Sequence, residues 1–490
     1  MEGWLWAITA ILCSALVTVF KDSRKKWFVR PKAMNWPPGP RKLPIIGNLH
    51  QLRNGGELAH VTLAKLAQKH GGIMTIWFGS WGPTIIVSDL ELAWEFLVSK
   101  SSDFSSRKLP YISRIINADL QTLSTSDLGP YWYKLRNGLH STTLNPKSIL
   151  EQTPLQEKDV AKLVFSLQNE ASSNDRVVQP LFHLRRNTIN LIGRFCFGPQ
   201  FKDDIFVDYI DTTIGEVLRL SGHSGLSQVF PFFRYVPVLN RPFIELQKLS
   251  YTIEGLFRPY ITSPTTPKDG YLQFLISQGL SEKIIISNLF EMFMLAVDSV
   301  SGTTTWALAY LICDQKLQQR LYEEVSREIG SEKVTIQKTK GLQYLNAVVK
   351  ETLRMKPIAP LAVPHRAVRD STLMGNKIVA GTTIVVNLYA VLRDPNVWVE
   401  PHRFMPERFL GCLGVSNEME RSFLPFGAGR RICPAMELAK QQIGFILASL
   451  VQKFQWSSVV DNQLPDLTED LTFILAMKMP LAARIALRSS

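Results

Sequence analysis

Cysteine is scarce in this chain of 490 residues, and the few cysteines are scattered. They are Cys13, Cys196, Cys313, Cys412 and Cys433, an odd number without the short repeated spacing of a metal site. A disulfide framework needs paired cysteines and an oxidising compartment. The distribution therefore excludes a disulfide-stapled secreted protein and favours a reducing compartment that faces the cytosol.

The sequence also lacks internal repeats, low-complexity tracts and any flavin- or dinucleotide-binding motif. If the chain carries out redox chemistry, its electrons must come from a separate protein. The formal net charge is +13 and the pI is near 9.4, but the basic residues are dispersed and no nucleic-acid reader motif is present. We therefore exclude nucleic acid as a partner. A basic protein on an anionic membrane surface, with an acidic partner, explains the charge as well.

An apolar run at the N-terminus, Trp4–Phe20, predicts a membrane anchor in residues 1–20. As a helix it would span about 26 Å, close to the roughly 27 Å core of the endoplasmic reticulum bilayer. Lysines and arginines follow the run from Lys21 onwards, which puts the N-terminus in the lumen and the rest of the chain in the cytosol. A cleaved signal peptide, the alternative, would carry its positive charge before the run.

Residues 21–40 predict a basic stop-transfer segment and a stiff hinge, because Trp36-Pro-Pro-Gly-Pro40 cannot continue a helix. The remainder, 41–490, reads as one large catalytic domain without a second composition regime. Apolar and turn residues predict two strands, Ile73–Phe78 and Thr84–Val87. Helical periodicity prevails elsewhere, with one helix ending before Gly330 and another running from Leu342 to Lys356. The predicted fold class is mainly α with a small β portion.

The most informative segment runs from Phe426 to Cys433 and reads Phe-Gly-Ala-Gly-Arg-Arg-Ile-Cys. It is typical of a loop that presents a cysteine thiolate to a haem iron. Phe426 would pack beneath the macrocycle, while Gly427 and Gly429 would let the backbone turn tightly and approach the porphyrin. Arg431 offers a guanidinium fork to a haem propionate. The alternative is a structural buried cysteine, the usual role of a free Cys.

This string resembles the haem loop of the cytochrome P-450 monooxygenases, in which a cysteine thiolate holds the haem iron. The resemblance implies a cytochrome P-450 fold around a buried haem b, with Cys433 as the axial iron ligand. It also implies the use of O2 and of electrons from NADPH. One residue departs from the family pattern, since Ala435 stands where glycine is usual. We expect a slightly tighter contact between helix and haem at that point.

Two further motifs precede the cysteine loop in the order that the family has them. Glu351-Thr-Leu-Arg354 places a carboxylate and a guanidinium on one helix face, and Arg408 follows in Pro406-Glu-Arg-Phe. In cytochromes P-450 these residues form a buried triad beneath the haem loop. The resemblance therefore makes Glu351, Arg354 and Arg408 structural residues.

The resemblance also implies propionate-binding residues. Trp132 and Arg136 match the W-x-x-x-R helix of the family, and their i, i+4 spacing puts both side chains on one face. His365 occupies the position of a further propionate donor, although the adjacent Arg366 could compete for that role.

The segment from Glu291 to Leu311 resembles the long helix that crosses above the haem. Where the family has an acid and a threonine, this chain has Asp298 and Ser299, an acid–alcohol pair that the resemblance makes catalytic in proton delivery to O2. The alternative is that Ser299 only bonds back to a helix carbonyl. Ala296 replaces a glycine and narrows the groove for oxygen. These departures put ordinary hydroxylation in doubt more than oxygen activation.

Pocket residues follow from the same resemblance. The segment after the Glu351 helix usually lines the substrate cavity, and Phe293 and Leu295 would compete for its wall. Glu291, seven residues before Asp298 on the same helix face, could meet a cationic alkaloid nitrogen; the alternative is a polar residue near the helix start. The predicted cavity residues of the segment are Ala359, Leu361 and Val363.

The whole chain resembles a plant microsomal subfamily that forms methylenedioxy bridges from ortho-methoxyphenols of alkaloids, lignans and phenylpropanoids. Gly39–His50, Thr303–Ala307 and Met355–Pro360 carry this likeness. In the implied reaction, O2 becomes two waters and no oxygen stays in the product. Alternatives in the same fold are a regiospecific hydroxylase and a C–C phenol-coupling enzyme. A non-catalytic membrane-anchored haem binder and a haem isomerase that needs no reductase are alternatives of other classes.

The implied partners are a small aromatic substrate, the membrane and a membrane-bound NADPH–cytochrome P-450 reductase. An acidic reductase face would dock on basic residues that flank the proximal motifs. We expect Lys134, Arg430 and Lys440 to contribute to this surface, and turnover to weaken at raised salt.

Overall fold

The computed structural model describes residues 36–52, 56–223, 228–230, 236–263, 270–411 and 417–488. The predicted anchor and most of the basic segment after it lie outside these residues. The end of the predicted hinge is held by a strand: the Thr75 hydroxyl donates to the Pro37 carbonyl at 2.8 Å, and the Thr75 amide donates to the Pro38 carbonyl at 3.0 Å.

Helices dominate the described part of the chain, as the sequence predicts. In chain order they are α1 (Leu49–Leu52), α2 (Ala59–His70), α3 (Leu90–Trp94), α4 (Ser113–Ile116), α5 (Pro130–Leu139), α6 (Pro146–Ser173), α7 (Pro180–Phe197), α8 (Asp204–His223), α9 (Pro237–Thr262), α10 (Tyr271–Ser277), α11 (Glu282–Cys313), α12 (Gln315–Ile329), α13 (Ile336–Thr339), α14 (Gln343–Met355), α15 (Leu388–Val391), α16 (Asn417–Ser422) and α17 (Met436–Lys453).

The strands are short and form small sheets. They are β1 (Ile73–Trp77), β2 (Pro83–Val87), β3 (Ser106–Arg107), β4 (Val177–Val178), β5 (His365–Arg366), β6 (Ser371–Leu373), β7 (Asn376–Ile378), β8 (Thr383–Val386), β9 (Phe454–Ser457), β10 (Glu469–Leu471), β11 (Leu475–Met477) and β12 (Ala483–Leu487). The largest described sheet has the order β1-β2-β8-β5-β3, with β2 and β8 parallel. A second sheet has the order β4-β12-β9, and β6–β7 and β10–β11 are hairpins.

Local patterns in the sequence explain several of these boundaries. The predicted helix before Gly330 is α12, and Gly330 follows it with a positive φ of 66°. The helix predicted from Leu342 to Lys356 is α14, which ends just before Pro357 because proline cannot extend it. The two predicted strands are β1 and β2, each within one residue of the expected ends.

Helix α11 is the central element of the fold. It begins at Glu282, nine positions before the predicted start, and most of its side chains are buried. Its first half joins an apolar cluster with α8, α9 and α10, whereas its second half joins another with α12, α14 and α17. Within the described residues, α11 is the one helix long and apolar enough to cross a membrane, but 67% of its most apolar stretch is buried inside the protein.

A buried ion-pair network joins the β10–β11 hairpin to the helices. Glu469 Oε1 accepts a hydrogen bond from Lys356 Nζ at 2.6 Å, and Glu469 Oε2 lies 3.2 Å from Nε2 of the fully buried His60. Lys356 Nζ also lies 4.2 Å from the ring centroid of Trp306 on α11. Burial by itself raises the pKa of Glu469, but the hydrogen bond from His60 and the charge of Lys356 outweigh it and hold the pKa at about 2.

This network predicts a pH dependence of stability. The folded-state pKa of Glu469 lies below its ordinary value of 4.5, so the carboxylate stabilises the fold at neutral pH and this contribution is lost as the pH falls from about 5 towards 2. Glu469→Gln should reduce the acid-induced loss of unfolding free energy by about 2 kcal/mol, measured by urea unfolding at several pH values. Asp470→Asn, at the exposed neighbouring position, should keep the wild-type pH dependence. Equal pH dependence in wild type and Glu469→Gln would contradict the prediction.

Candidate functional site

The cysteine loop, residues 426–433, comes shortly before α17 in the chain and lies against the segment that contains Leu97. Its Gly429–Arg431 stretch forms a short 3-10 turn, and the Cys433 amide donates a hydrogen bond to the Phe426 carbonyl at 3.0 Å. Both glycines have positive φ, 71° at Gly427 and 67° at Gly429. A Cβ at 429 would collide with the carbonyl oxygen of Leu97. Glycine is therefore required at 429 both for its backbone angle and for the close approach of a second segment.

The Cys433 thiol lies in an enclosed but polarised environment. Burial raises its pKa, whereas a hydrogen bond from the Ala435 backbone N–H and the positive charge of Arg136 lower it. Arg136 is fixed near the sulfur because its Nη1 donates to the carbonyl of Ile432 at 2.8 Å. A cation bound at the sulfur would complete the deprotonation that burial opposes.

Helix α5 presents Trp132 and Arg136 towards this loop. Proline at the first helical position begins α5 after Gly129. Trp132 is buried, and its indole N–H donates to the Leu123 carbonyl at 3.0 Å. The guanidinium carbons of Arg136 and Arg431 lie 5.7 Å and 4.9 Å from the Trp132 ring centroid. The structure therefore brings three predicted residues together beside the cysteine loop.

A third cation, Arg107 on β3, belongs to the same cluster and was missed in the sequence. Its pKa is lowered to about 9 by burial and by the like charge of Arg431. The pKa of Arg431 is lowered to about 10, chiefly by burial, with Arg136 as a further like charge. Arg107 Nε and Arg431 Nη1 are buried and have no hydrogen-bond partner. Other nitrogens of these two groups donate to backbone carbonyls, those of Val363, Ser105 and Ser126. A buried N–H without a partner is costly, so the two open positions fit a group with two negative charges.

His365 lies beside the cluster, but it cannot donate a hydrogen bond to a propionate, the role predicted for it, while its ring is neutral. It is buried, and its Nδ1 lies 2.7 Å from the Phe104 carbonyl, to which only a protonated nitrogen can donate. The neutral ring then offers Nε2 as an acceptor, not as a donor to a carboxylate. Burial and the charge of Arg107 lower the His365 pKa well below its usual value. Arg366 is engaged by Ser106, so Arg107 is the better candidate for the role expected of either residue.

The triad expected beneath the loop is present as a contact network. Glu351 and Arg354 are fully buried and make a bidentate pair, with N–O distances of 2.7 and 2.8 Å. Arg408 Nε donates to Glu351 at 3.1 Å, and the amide of Met405 donates to the same carboxylate at 2.8 Å. The remaining guanidinium N–H groups of Arg354 donate to backbone carbonyls, including that of Leu392. The network thus pins the segment that leads towards the cysteine loop.

On α11, the predicted acid–alcohol pair has different partners for its two members. Asp298 is ion-paired with Arg185 of α7, which also binds Asp211 of α8 at 2.6 Å. Burial raises the pKa of Asp298, while Arg185 opposes that shift, and Asp298 Oδ2 is buried without a partner. The Ser299 hydroxyl donates to the Ala296 carbonyl at 3.2 Å, the contact described above as the alternative to a catalytic role. Of the two side chains, Asp298 therefore keeps one oxygen, Oδ2, without a hydrogen bond.

The structure corrects the interpretation of Glu291 as a contact for a cationic substrate. The side chain is 5% exposed, and both carboxylate oxygens accept hydrogen bonds from Thr122 and Ser124 in the segment before α5. Phe293, the other apolar wall candidate beside Leu295, is completely buried in the core. Neither residue is free to line a cavity.

The remaining predicted pocket residues differ in exposure. Leu295 is 41% exposed although its neighbours on α11 are mostly buried. Val363 is 37% exposed, and Ala359 is half-buried. Leu361 is half-buried and packs against the apolar cluster of the β1–β2 sheet.

Comparison with known proteins agrees with this geometry. Residues 37–482 match the sequence profile of cytochrome P450. The chain is 47% identical over 460 residues to (S)-canadine synthase of Coptis japonica, which covers 93% of each chain. It is 45% identical over 483 residues to pluviatolide synthase of Podophyllum peltatum, covering 98% and 97% of the two chains. A zebra fish cytochrome P450 solved with abiraterone has the same fold, with a TM-score of 0.73 at 23% identity over 88% of this chain and 99% of that chain.

The fold and the thiolate-presenting loop define a haem-binding oxidoreductase. The chain belongs to the cytochrome P450 family. As a member it is a monooxygenase that uses haem, O2 and NADPH-derived electrons from a redox partner, and it acts on a small-molecule substrate. The residues present fit the cofactor, because two unpartnered guanidinium N–H groups match two propionates and one half-buried thiol matches the iron.

Loss of Glu351 should destabilise the protein strongly. Glu351→Ala leaves two buried guanidinium groups without their carboxylate, and we expect a loss of about 3 to 5 kcal/mol in the free energy of unfolding. Glu328→Ala is the matched control, since Glu328 pairs with Arg327 on the surface of α12 and such pairs contribute less than about 1 kcal/mol. Urea unfolding of both variants gives the comparison. Similar unfolding midpoints for the two would show that the network does not hold the fold.

Loss of Arg107 should weaken haem retention with little effect on folding. Arg107→Met removes a buried cation whose Nε has no partner and whose Nη1 donates to the Val363 carbonyl, so haem should dissociate roughly thirtyfold faster, equivalent to about 2 kcal/mol. The rate is measured by haem transfer to an excess of a haem-scavenging protein. Arg366→Met, which changes the half-exposed neighbour of His365, should dissociate haem at close to the wild-type rate. The opposite ranking of the two variants would assign the role to Arg366.

Proposed function

We propose that this protein closes a methylenedioxy bridge on an ortho-methoxyphenol of plant specialised metabolism. The methoxyl carbon loses one hydrogen, the phenol loses its hydroxyl hydrogen, and a new C–O bond joins them. One O2, one NADPH and one proton become two waters and NADP+. The observation that carries the proposal is 45–47% identity, over nearly the full length, to synthases named for canadine and pluviatolide.

In this proposal Cys433 is the axial ligand of the haem iron. Haem held by a thiolate activates O2 and can remove hydrogen from an unactivated C–H bond. The chain's own contribution at the sulfur is the Ala435 N–H and the Arg136 charge, which favour the thiolate. Phe426 supports the loop from below, and Gly429 keeps it close to the segment that contains Leu97.

The propionates are assigned to the cationic cluster beside the loop. Arg107 and Arg431 would each direct an unpartnered N–H at a carboxylate. Arg136 and Trp132 complete this side, with Trp132 packed against both neighbouring guanidinium groups. Glu351, Arg354 and Arg408 hold the approach to the loop and take no part in the chemistry.

Asp298 and Ser299 are proposed to deliver protons from α11. Asp298 is able to hold a proton at Oδ2, because that oxygen is buried without a partner and burial raises the carboxyl pKa. Its bond to Arg185 keeps Oδ1 occupied. The Ser299 hydroxyl, now donating to Ala296, can turn to pass a proton onward. Replacement of the usual threonine by serine removes one methyl group from this space.

The substrate is proposed to lie against the apolar side chains that remain exposed between α11 and the segment after α14. Leu295 and Val363 are the two large ones, with Ala359 and Leu361 beside Val363 in sequence. An aromatic ring with a methoxyl group needs mainly apolar contacts and correct orientation. A tight wall here would hold the methoxyl and the phenol oxygen side by side.

We place the catalytic part on the cytosolic face of the endoplasmic reticulum membrane, anchored through residues 1–20. Leu43 and Ile45, shortly after the hinge, are 47% and 63% exposed, and such apolar side chains suit contact with a lipid surface. NADPH–cytochrome P-450 reductase is the proposed electron donor. Its docking surface would include exposed Lys134 and Arg430, and Arg430 donates to the hydroxyl of Tyr133, the residue before Lys134 on α5.

Lys440 was expected on the same docking surface, and its position qualifies that role. Its Nζ lies 2.7 Å from Glu437 one turn earlier on α17, so part of its charge is neutralised locally. We therefore expect Lys134 and Arg430 to contribute more to reductase binding than Lys440. Docking through these charges should weaken as ionic strength rises.

The reaction is tested with microsomes that contain the full chain, its reductase and NADPH, supplied with ortho-methoxyphenols of the alkaloid, lignan and phenylpropanoid classes. Mass spectrometry should show the loss of two hydrogens, and NMR should show a methylenedioxy carbon. Cys433→Ala should give no product, as a control for haem-thiolate chemistry. Gain of one oxygen would instead define a hydroxylase, and a new C–C bond a phenol-coupling enzyme. If no compound of the panel leads to NADPH consumption, the protein is a non-catalytic haem binder.

A further inference from the structure

Glu291 makes a dense set of contacts with a segment far away in sequence. Its Oε1 accepts hydrogen bonds from the hydroxyl groups of Thr122 and Ser124, and its Oε2 accepts one from the Ser124 amide at 3.0 Å. Thr122 is completely buried and Glu291 is 5% exposed. A buried carboxylate is stable only when such donors replace water. All the donors described for Glu291 come from one short stretch of chain.

Asn288, one helical turn earlier on α11, holds the same stretch by its backbone. Its Oδ1 accepts from the Leu123 amide at 3.2 Å, and its Nδ2 donates to the Gln121 carbonyl at 3.2 Å. The side chain is 1% exposed. Together, Asn288 and Glu291 bind four consecutive residues to the face of the central helix. We call this pair and its bonds the α11 clamp.

The clamped segment contains unfavourable backbone conformations. Ala118, Asp119 and Leu120 are consecutive non-glycine residues with positive φ values of 42°, 59° and 69°. Each such residue costs about 1 kcal/mol or more, and the strain persists only when surrounding contacts impose it. The α11 clamp begins at the very next residue, Gln121. Its hydrogen bonds are therefore placed to oppose the relaxation of the strained turn.

The position of the segment connects it to both sides of the site. Ile116 and Leu123 belong to the apolar cluster that also includes Ala296 of α11 and Ile474 of the β10–β11 hairpin. At its other end, the Ser126 carbonyl accepts a hydrogen bond from Arg431 at 2.6 Å. The strained segment thus spans the space between the central helix and the cysteine loop. A shift of this segment would alter the packing of the cluster that contains Ala296, the residue after Leu295 on α11.

We propose that Glu291 and Asn288 are positioning residues that hold the strained segment 117–125 as one wall of the substrate cavity. The proposal rests on the proposed ring closure for its catalytic consequence, but the clamp itself does not depend on the identity of the substrate. Neither residue touches the substrate. Release of the clamp would let the strained turn relax, widen the cavity and allow the methoxyphenol to bind in several orientations. Affinity and yield of product per NADPH would then fall together.

Hydrogen exchange of the full-length haem-loaded protein tests the clamp without any substrate. Glu291→Ala should raise the exchange rate of amides in 117–126 at least tenfold relative to wild type. Glu291→Gln should restore slow exchange, because its carbonyl can accept from the Ser124 amide while its NH2 group donates to a neighbouring hydroxyl. The 450 nm band of the reduced carbon monoxide complex checks that thiolate ligation is intact. Wild-type exchange in Glu291→Ala would overturn the proposal.

Asn288→Ala is a second variant that leaves the carboxylate in place, and it keeps the clamp testable if Glu291→Ala fails to fold. It should raise exchange in the same segment by a smaller factor. A peptide from α12, which the clamp does not touch, should exchange at the wild-type rate in every variant. Faster exchange throughout the protein, rather than in 117–126, would also overturn the proposal.

Kinetics distinguish the clamp from direct binding of an amine. The KM of Glu291→Ala should rise about tenfold for both a tertiary-amine alkaloid and a neutral methoxyphenol, with Glu291→Gln close to wild type for each. A loss confined to the amine, and already complete in Glu291→Gln, would show charge pairing with the substrate and overturn the proposal. If exchange responds as expected but no substrate in the panel forms a methylenedioxy bridge, the clamp stands and the proposed reaction fails.

Discussion

The region beneath the cysteine loop depends on one buried carboxylate, that of Glu351. It is fully buried and accepts hydrogen bonds from Arg354, Arg408 and the amide of Met405. In an interior of low polarity, each of these charges is stable only because the others are present. The two arginines then reach backbone carbonyls from Leu392 to Arg403. One acid thereby fixes the path of the chain that leads to Cys433.

The neighbouring cationic cluster has the opposite property, since part of its hydrogen-bonding capacity is not met within the protein. The charge of Arg431 lowers the pKa of Arg107, and each of these two guanidinium groups has one buried nitrogen without a partner. An anionic group bound there would satisfy these N–H groups. In the function proposed above, that group is the pair of haem propionates, and its binding would stabilise the fold as well as the site. The triad differs in this respect, because its carboxylate and guanidinium groups are paired within the protein.

Helix α11 connects these parts to the substrate side. Along its length, Glu291 binds the strained segment before α5, and Asp298 binds Arg185 of α7. Further along, Trp306 packs against Lys356 near the β10–β11 hairpin. A helix that is apolar overall thus carries a few side chains with polar contacts, and each of them contacts a different neighbouring element. Three elements that are distant from one another in sequence are thereby attached to one helix.

The sequence by itself determined the features that depend on short spacing: the glycine turn before Cys433, the Glu351–Arg354 pair, and the helices and strands with clear periodicity. Residues a few positions apart meet through local backbone geometry, so their contacts can be predicted. Only the tertiary structure decided that Glu291 binds Thr122, 169 positions away, and that Arg107 joins Arg431. It also showed that Nδ1 of His365 lies within hydrogen-bond distance of the Phe104 backbone carbonyl. Burial and partners of this kind arise from packing between distant segments, which no local pattern records.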